Sequence, residues 1–300
     1  MGGLRRGARP RDARRDHEGR ARRSCARTRG FEAERGVSGT PAGGLSAVRA
    51  AFDERAMSYA LWPELARGET RDRVLEQLDP VADETLLDLG AGPGAMARAA
   101  GPFVRRVVLC DLSPAMLRVA AAESRRAGRL SPPLAAADAC ALPFRDGAFD
   151  LVACRHAARL FRSPEHFASE VARVLRRGGR VAVCDVMATG EPDVDAVVLA
   201  LEQVLAPVTV HHRTPAQWGE VFESAGLRRD WDDQPLAELD EGRSLQDACA
   251  RCGTSDSAFH QARRILTEAD EPVRKALGVL PHGTDIIYHP PVGLVRATRV

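Results

Sequence analysis

The sequence predicts an α/β fold built on a mostly parallel sheet, and three observations carry that expectation. Short apolar runs at 86–89, 105–111, 133–137, 147–154 and 180–186 alternate with amphipathic helical stretches. A turn containing Gly90, Gly92 and Gly94 follows the first run directly and opens a helix. The second and third runs end on Asp111 and Asp138, which puts carboxylates at the carboxyl ends of strands, where open α/β sheets bind ligands.

Composition bounds the function. At 300 residues, 44% hydrophobic and 28% charged, the chain can bury one sizeable core, or one core with an appended subdomain. The formal charge of +2 hides an asymmetry, because the first 35 residues hold twelve Arg against five Asp or Glu. The remainder is therefore mildly acidic, which argues against nucleic-acid binding by the folded domain. Residues 1–44 hold very few large apolar side chains and no periodicity, so they are expected to be a disordered Arg-rich tail. That tail reads as non-functional, as a binder of nucleic acid or acidic partners, or as a transit peptide, the last weakened by Asp12, Asp16 and Glu18. Seven cysteines without a secretory apolar segment point to reduced thiols in a cytoplasmic protein. No apolar run approaches the roughly 20 residues that span a bilayer.

In order along the chain, Leu45, Val48, Phe52, Ala56 and Tyr59 recur at helical spacing as one apolar stripe. A second helix is expected over 70–78, capped by Thr70 and stopped before Pro80. The two form an N-terminal helical lid over the glycine turn, in which Tyr59 and Trp62 either face ligand or fill ordinary core positions. Asp88 sits at the end of the first strand. A carboxylate there would repel a pyrophosphate but suits a cationic amine, such as the methionyl end of S-adenosylmethionine. Residues 90–95 also satisfy the dinucleotide pattern G-x-G-x-x-G/A, so a nicotinamide dehydrogenase is a rival that Asp88 and Asp138 disfavour.

Asp111 closes the second strand, placed to accept both hydroxyls of a ribose. Ser113 caps the next helix, with Pro114 in its first position and Met116 and Ala120 within it. Asp138 is placed to accept the exocyclic amine of adenine, with the Ala139 N–H beside a ring nitrogen. Arg155 and His156 lie on the exit from the fourth strand. A helix over 164–175 ends at Arg176-Arg177-Gly178-Gly179, and 180–186 is the fifth strand. Later segments read as helices over 194–205 and 215–225, a strand over 227–231, a helical insert at about 242–280, and extended runs at 284–288 and 292–300. Cys249 and Cys252 form a lone C-x-x-C, and no metal site is expected. Cys110, Cys154 and Cys184 at strand ends read as core filler.

Together these pieces resemble the class I S-adenosylmethionine-dependent methyltransferases, especially the branch of quinone C-methyltransferases and small-molecule methyltransferases. The match covers about residues 52–187. Residues 86–94 resemble the family's first motif, Asp111 its ribose acid, Asp138-Ala139 with Leu142-Pro143-Phe144 its adenine loop, and 175–185 its later glycine-hairpin strand. The resemblance implies a Rossmann-like, seven-stranded sheet with helices on both faces and an antiparallel final strand supplied by 292–300. It implies one methyltransferase domain over 45–300, with its core at 84–187, that binds S-adenosylmethionine and a small-molecule methyl acceptor. The cofactor candidates are Asp88, Gly90, Ala91, Gly92, Asp111, Leu112, Met116, Asp138, Ala139 and Arg155. Tyr59 and His211 are acceptor candidates, and His156 is the candidate catalytic residue. Two departures stand out: the family's lid Tyr-Asp pair is Tyr59-Ala60 here, and its paired His before Phe is Arg159-Leu160-Phe161. The second leaves His156, His211 and His212 as candidate bases, each with a structural reading beside the catalytic one. A non-catalytic cofactor-binding scaffold is the alternative function.

Overall fold

The computed structural model describes residues 44–60, 68–230 and 242–300; the Arg-rich segment 1–43, Trp62 and Trp231 lie outside the described residues. Helix α1 (Gly44–Ala60) and helix α2 (Glu69–Leu78) precede the first strand. Thr70 does not cap α2. The N-cap is Gly68, whose side chain offers no acceptor, and Thr70 is buried one residue inside the helix, where its Oγ1 accepts from Arg155 Nε at 2.9 Å.

Five strands follow in the expected alternation: β1 (Thr85–Leu89), β2 (Arg106–Asp111), β3 (Leu134–Ala136), β4 (Phe149–Arg155) and β5 (Leu175–Val186). Between them run α3 (Ala95–Ala100), α4 (Pro114–Arg126) and α5 (Pro164–Val174). Ser113 caps α4 as the sequence predicts, its Oγ accepting from Met116 N. The glycines after α5 do not make a separate turn. The chain goes straight from Val174 into β5, and a register shift lets Leu175 pair with Phe149 and Arg180 with Leu151.

The remaining elements are α6 (Pro192–Leu205), α7 (Pro215–Ser224), β6 (Leu227–Arg229), β7 (Arg243–Ser244), α8 (Leu245–Cys252), α9 (Asp256–Glu268), α10 (Glu271–Ala276), β8 (Leu280–His282), β9 (Asp285–Tyr288) and β10 (Val292–Arg299). The main sheet has seven strands in the order β3-β2-β1-β4-β5-β10-β6. β1 to β5 are mutually parallel, and β10 runs antiparallel between β5 and β6. The expected insert is not purely helical. β7, β9 and β8 form a second, three-stranded antiparallel sheet, with the 285–288 run at its centre.

Alternation along the central strands sorts side chains to two cores. Leu87 and Leu89 of β1 and Val108 and Cys110 of β2 pack with Phe167, Trp218 and Phe222 of α5 and α7. Leu86, Val107 and Leu109 pack on the opposite face with Leu78, Met96 and Leu117. Both faces are thus covered by helices, which is why the strands read as continuous apolar runs. Cys110, Cys154 and Cys184 are free and buried, and burial pushes the Cys110 and Cys184 thiols up to about 12. The insert packs around α6 through Val198, Leu201, Leu245, Leu266 and Tyr288. No helix among the described residues is long and apolar enough to cross a membrane.

Candidate active site

A pocket lies over the carboxyl ends of β1, β2 and β4, lined by the glycine turn, the start of α4, the loop after β4 and one face of α1. Gly90, Gly92 and Gly94 all have positive φ, at 64°, 50° and 78°, a region that non-glycine residues rarely adopt. A Cβ on Gly90 would lie 2.4 Å from the Cβ of Ala157, so this position brings the turn against the loop after β4. A Cβ on Gly92 would meet nothing within 4 Å, so this stretch of backbone faces open space. Arg98 Nη1 donates to Pro93 O at 2.5 Å and steadies the turn from within α3.

Asp88 is 2% exposed, and its Oδ2 is buried with no hydrogen-bond partner among the described residues. Burial, reinforced by the nearby charge of Asp111, pushes its carboxyl up to about 7. A buried carboxylate oxygen without a donor is costly, and a cationic ligand would relieve that cost. Asp111 is held by its own loop: Oδ1 accepts from Ser113 N and Oδ2 from Gly92 N, each at 2.8 Å. Each oxygen keeps a second acceptor direction. Burial raises the Asp111 carboxyl as well.

Of the residues singled out in the sequence, Tyr59, Asp88, Gly90, Ala91, Gly92, Asp111, Leu112, Met116, Asp138, Ala139, Arg155 and His156 all line this pocket. Asp138 accepts from Cys140 N at 2.9 Å and pairs with Arg162 Nε at 3.0 Å, so one of its oxygens already has a cationic partner. Tyr59 packs edge-on against Phe52, and burial pushes its phenol up to about 12. His156 has φ 59°, unusual for a residue with a side chain, and its N–H donates to Cys184 O at 2.8 Å. Burial first, then the cations Arg155, Arg243, Arg159 and Arg251, hold its imidazole well below the usual histidine range, so it is neutral at pH 7.

The acceptor candidate His211 stands apart from the others. It is not among the pocket-lining residues but packs its ring against Trp218, with centroids 5.9 Å apart. The backbone explains this, since Val210 N donates to Arg159 O and carries the segment along the outside of the loop after β4. Burial lowers the His211 imidazole to about 4, and His212 is lowered too. Sequence reasoning missed Arg159 and Arg162 as pocket residues. Leu45, Val48 and Phe52, recognised only as an apolar stripe, supply the wall contributed by α1.

Among the described residues no group of His, Cys, Asp or Glu is arranged to hold a metal. The residues present do fit S-adenosylmethionine: a glycine turn clear of Cβ atoms, a buried acid with one donor-less oxygen and a second acid at the end of the adjacent strand on the same rim.

This sheet order, with its antiparallel penultimate strand and a glycine turn leading from β1, is the architecture of the class I methyltransferases. A family model described as a methyltransferase domain matches residues 87–183. The uncharacterized methyltransferase YcgJ of Bacillus subtilis is 30% identical over 176 residues, 59% of this chain and 70% of YcgJ. A demethylmenaquinone methyltransferase of Thermobifida fusca is 34% identical over 142 residues, 46% of this chain and 60% of that enzyme. The crystal structure of YcgJ superposes with a TM-score of 0.70 at 24% identity, covering 77% of this chain and 97% of that one. The chain belongs to this family and is an S-adenosylmethionine-dependent methyltransferase.

Proposed function

We propose that the chain methylates a small-molecule acceptor within the pocket between α1 and the carboxyl ends of β1, β2 and β4, and that residues 45–300 form one methyltransferase domain. The observation that supports this best is the buried, donor-less Oδ2 of Asp88 beside a glycine turn. When bound, S-adenosylmethionine supplies an electrophilic methyl group for in-line displacement. Asp88 holds the ammonium group, Asp111 the ribose hydroxyls, and Asp138 with Ala139 the adenine edge. Gly90, Ala91 and Gly92 let the backbone approach, Leu112 and Met116 pack against the nucleoside, and Arg155 braces the far wall from Thr70. Helix α1 excludes water from the pocket, and orientation with water exclusion is most of what such a displacement needs from a protein.

His156 accepts a proton from an acceptor hydroxyl or amine in this reading, which is supported by the residue's lining the pocket and by its imidazole being neutral at pH 7. Tyr59 stands on the opposite wall as an acceptor contact. Incubating the full chain with methyl-labelled S-adenosylmethionine and small-molecule fractions of a bacterial extract tests the reading. Transfer of label to a low-molecular-weight product supports it, and binding of the cofactor without any transfer contradicts it.

A further inference from the structure

Arg159 stands where the resembled family carries a histidine, and its contacts are unlike those of a surface cation. Its Nε donates to Glu202 Oε2 at 3.0 Å, and its Nη1 donates to Asp185 Oδ1 at 2.5 Å and to His156 O at 3.1 Å. Both acids are buried, Asp185 at 1% exposure and Glu202 at 3%. These bonds fix the plane of the guanidinium, whose fork geometry leaves one edge over. The Nη2 amine makes no hydrogen bond among the described residues, while the side chain lines the pocket.

The surroundings of His156 and Tyr59, both of which Arg159 also faces, are rich in cations. Arg55 on α1 holds its Nη1 buried without a partner among the described residues. Arg155, Arg243 and Arg251 act on His156 together with Arg159, and no acid is among its strongest influences. Arg155, Arg243 and Arg251 have interactions of their own and enter here only through their charge. Among the described residues Asp185 and Glu202 are the acids paired with Arg159, and Glu202 also faces Arg243 and Arg251. A low-dielectric wall of this sign attracts an anion and repels a cation.

We propose that the methyl acceptor carries an oxyanion, a carboxylate or a phosphate, which the Nη2 edge of Arg159 receives. This rests on reading the pocket as the site of methyl transfer. It makes Arg159 an acceptor-specificity residue and explains why a charged fork occupies a position that proton transfer alone would not require.

The test uses the full chain saturated with S-adenosylhomocysteine and titrated with benzoate, phenyl phosphate and the neutral isostere benzamide. At least one anion should bind saturably, at least tenfold tighter than benzamide, and more weakly as salt rises; the preferred anion distinguishes carboxylate from phosphate. Arg159→Lys keeps a charge between Asp185 and Glu202 but loses the fork, and should weaken that anion tenfold or more while S-adenosylhomocysteine binds as before. Retained S-adenosylhomocysteine binding shows that the variant is folded. Equal affinity for benzamide, binding of none of the three probes, or undiminished anion binding by Arg159→Lys overturns the inference. Failure of the parent protein to bind S-adenosylhomocysteine would instead overturn the reading on which it rests.

Discussion

The Ser113 hydroxyl donates a 2.6 Å hydrogen bond to Asp53 Oδ1, joining residues 60 positions apart. The same oxygen accepts from Ala115 N at 3.1 Å, so one carboxylate of α1 holds the first turn of α4, two residues beyond Asp111. The Ser113 hydroxyl, its strongest influence, helps hold the Asp53 carboxyl below the usual range. Through this contact α1 is anchored to the strand end that shapes the pocket.

Asp53→Ala should therefore loosen α1 without dismantling the sheet. A buried hydrogen bond to a charged group contributes about 1.5–3 kcal/mol, and the partial exposure of Asp53 brings that toward about 1 kcal/mol. S-adenosylmethionine affinity should fall about fivefold, mainly through faster release. Stopped-flow displacement measures the release rate, and an unchanged rate would show that α1 does not retain the cofactor.

Asp88 makes cofactor binding depend on pH. Its carboxyl titrates at about 7 in the fold but near about 3.9 in an unfolded chain. The folded apoprotein thus keeps a proton that the unfolded chain has lost, and the stability this confers is complete below about pH 4 and lost as pH rises through about 7. A bound ammonium favours the ionised form. The thermal shift given by S-adenosylmethionine should be larger at pH 8 than at pH 6, and binding at pH 6 should release a proton. Calorimetry in buffers of different ionisation enthalpy reads that release directly; its absence would remove the ammonium from Asp88.

Asp111→Ala and Gly92→Val attack the same rim by different physics. Losing the Asp111 carboxylate should cost about 1.5–3 kcal/mol of cofactor affinity while the strand persists, because its two acceptor bonds are to loop N–H groups. Gly92→Val puts a β-branched side chain at φ 50° and into the space the backbone faces, so binding should be abolished and the melting temperature lowered. Asp111→Ala with full affinity would show that the ribose lies elsewhere.

Much of this arrangement was legible because local pattern carried it. The short apolar run through Leu86 to Leu89 read as a strand buried on both faces, and the glycines after it announced a turn. Ser113-Pro114 marked a helix start that the structure reproduces atom for atom. What was not legible lacks a local signal. β7 is two residues long and pairs with β9 some forty positions away. Arg159 meets Asp185 and Glu202 across 26 and 43 residues. Thr70 looked like a cap by residue type, but its hydroxyl is taken by Arg155, 85 positions later. The position of His211 depends on how the segment after α6 crosses Arg159, which no periodicity encodes.

His156→Ala should leave S-adenosylmethionine affinity within about twofold and lower turnover of a hydroxyl or amine acceptor by about 10²–10⁴. Because its imidazole titrates well below the usual range, the parent's rate at saturating S-adenosylmethionine should stay flat as pH falls from 8 to 6. A rate that halves near pH 6.5 would assign the base to a different group.

The most direct test is a calorimetric titration of S-adenosylmethionine into the parent protein and Asp88→Asn at pH 8. The amide keeps the shape of Asp88 and removes its charge, so affinity should fall at least about 30-fold, the equivalent of about 2 kcal/mol for a bond between charged groups. NAD should give no saturable heat with either protein. Equal affinity of the parent and Asp88→Asn for S-adenosylmethionine would contradict the assignment of the buried acid to the ammonium group.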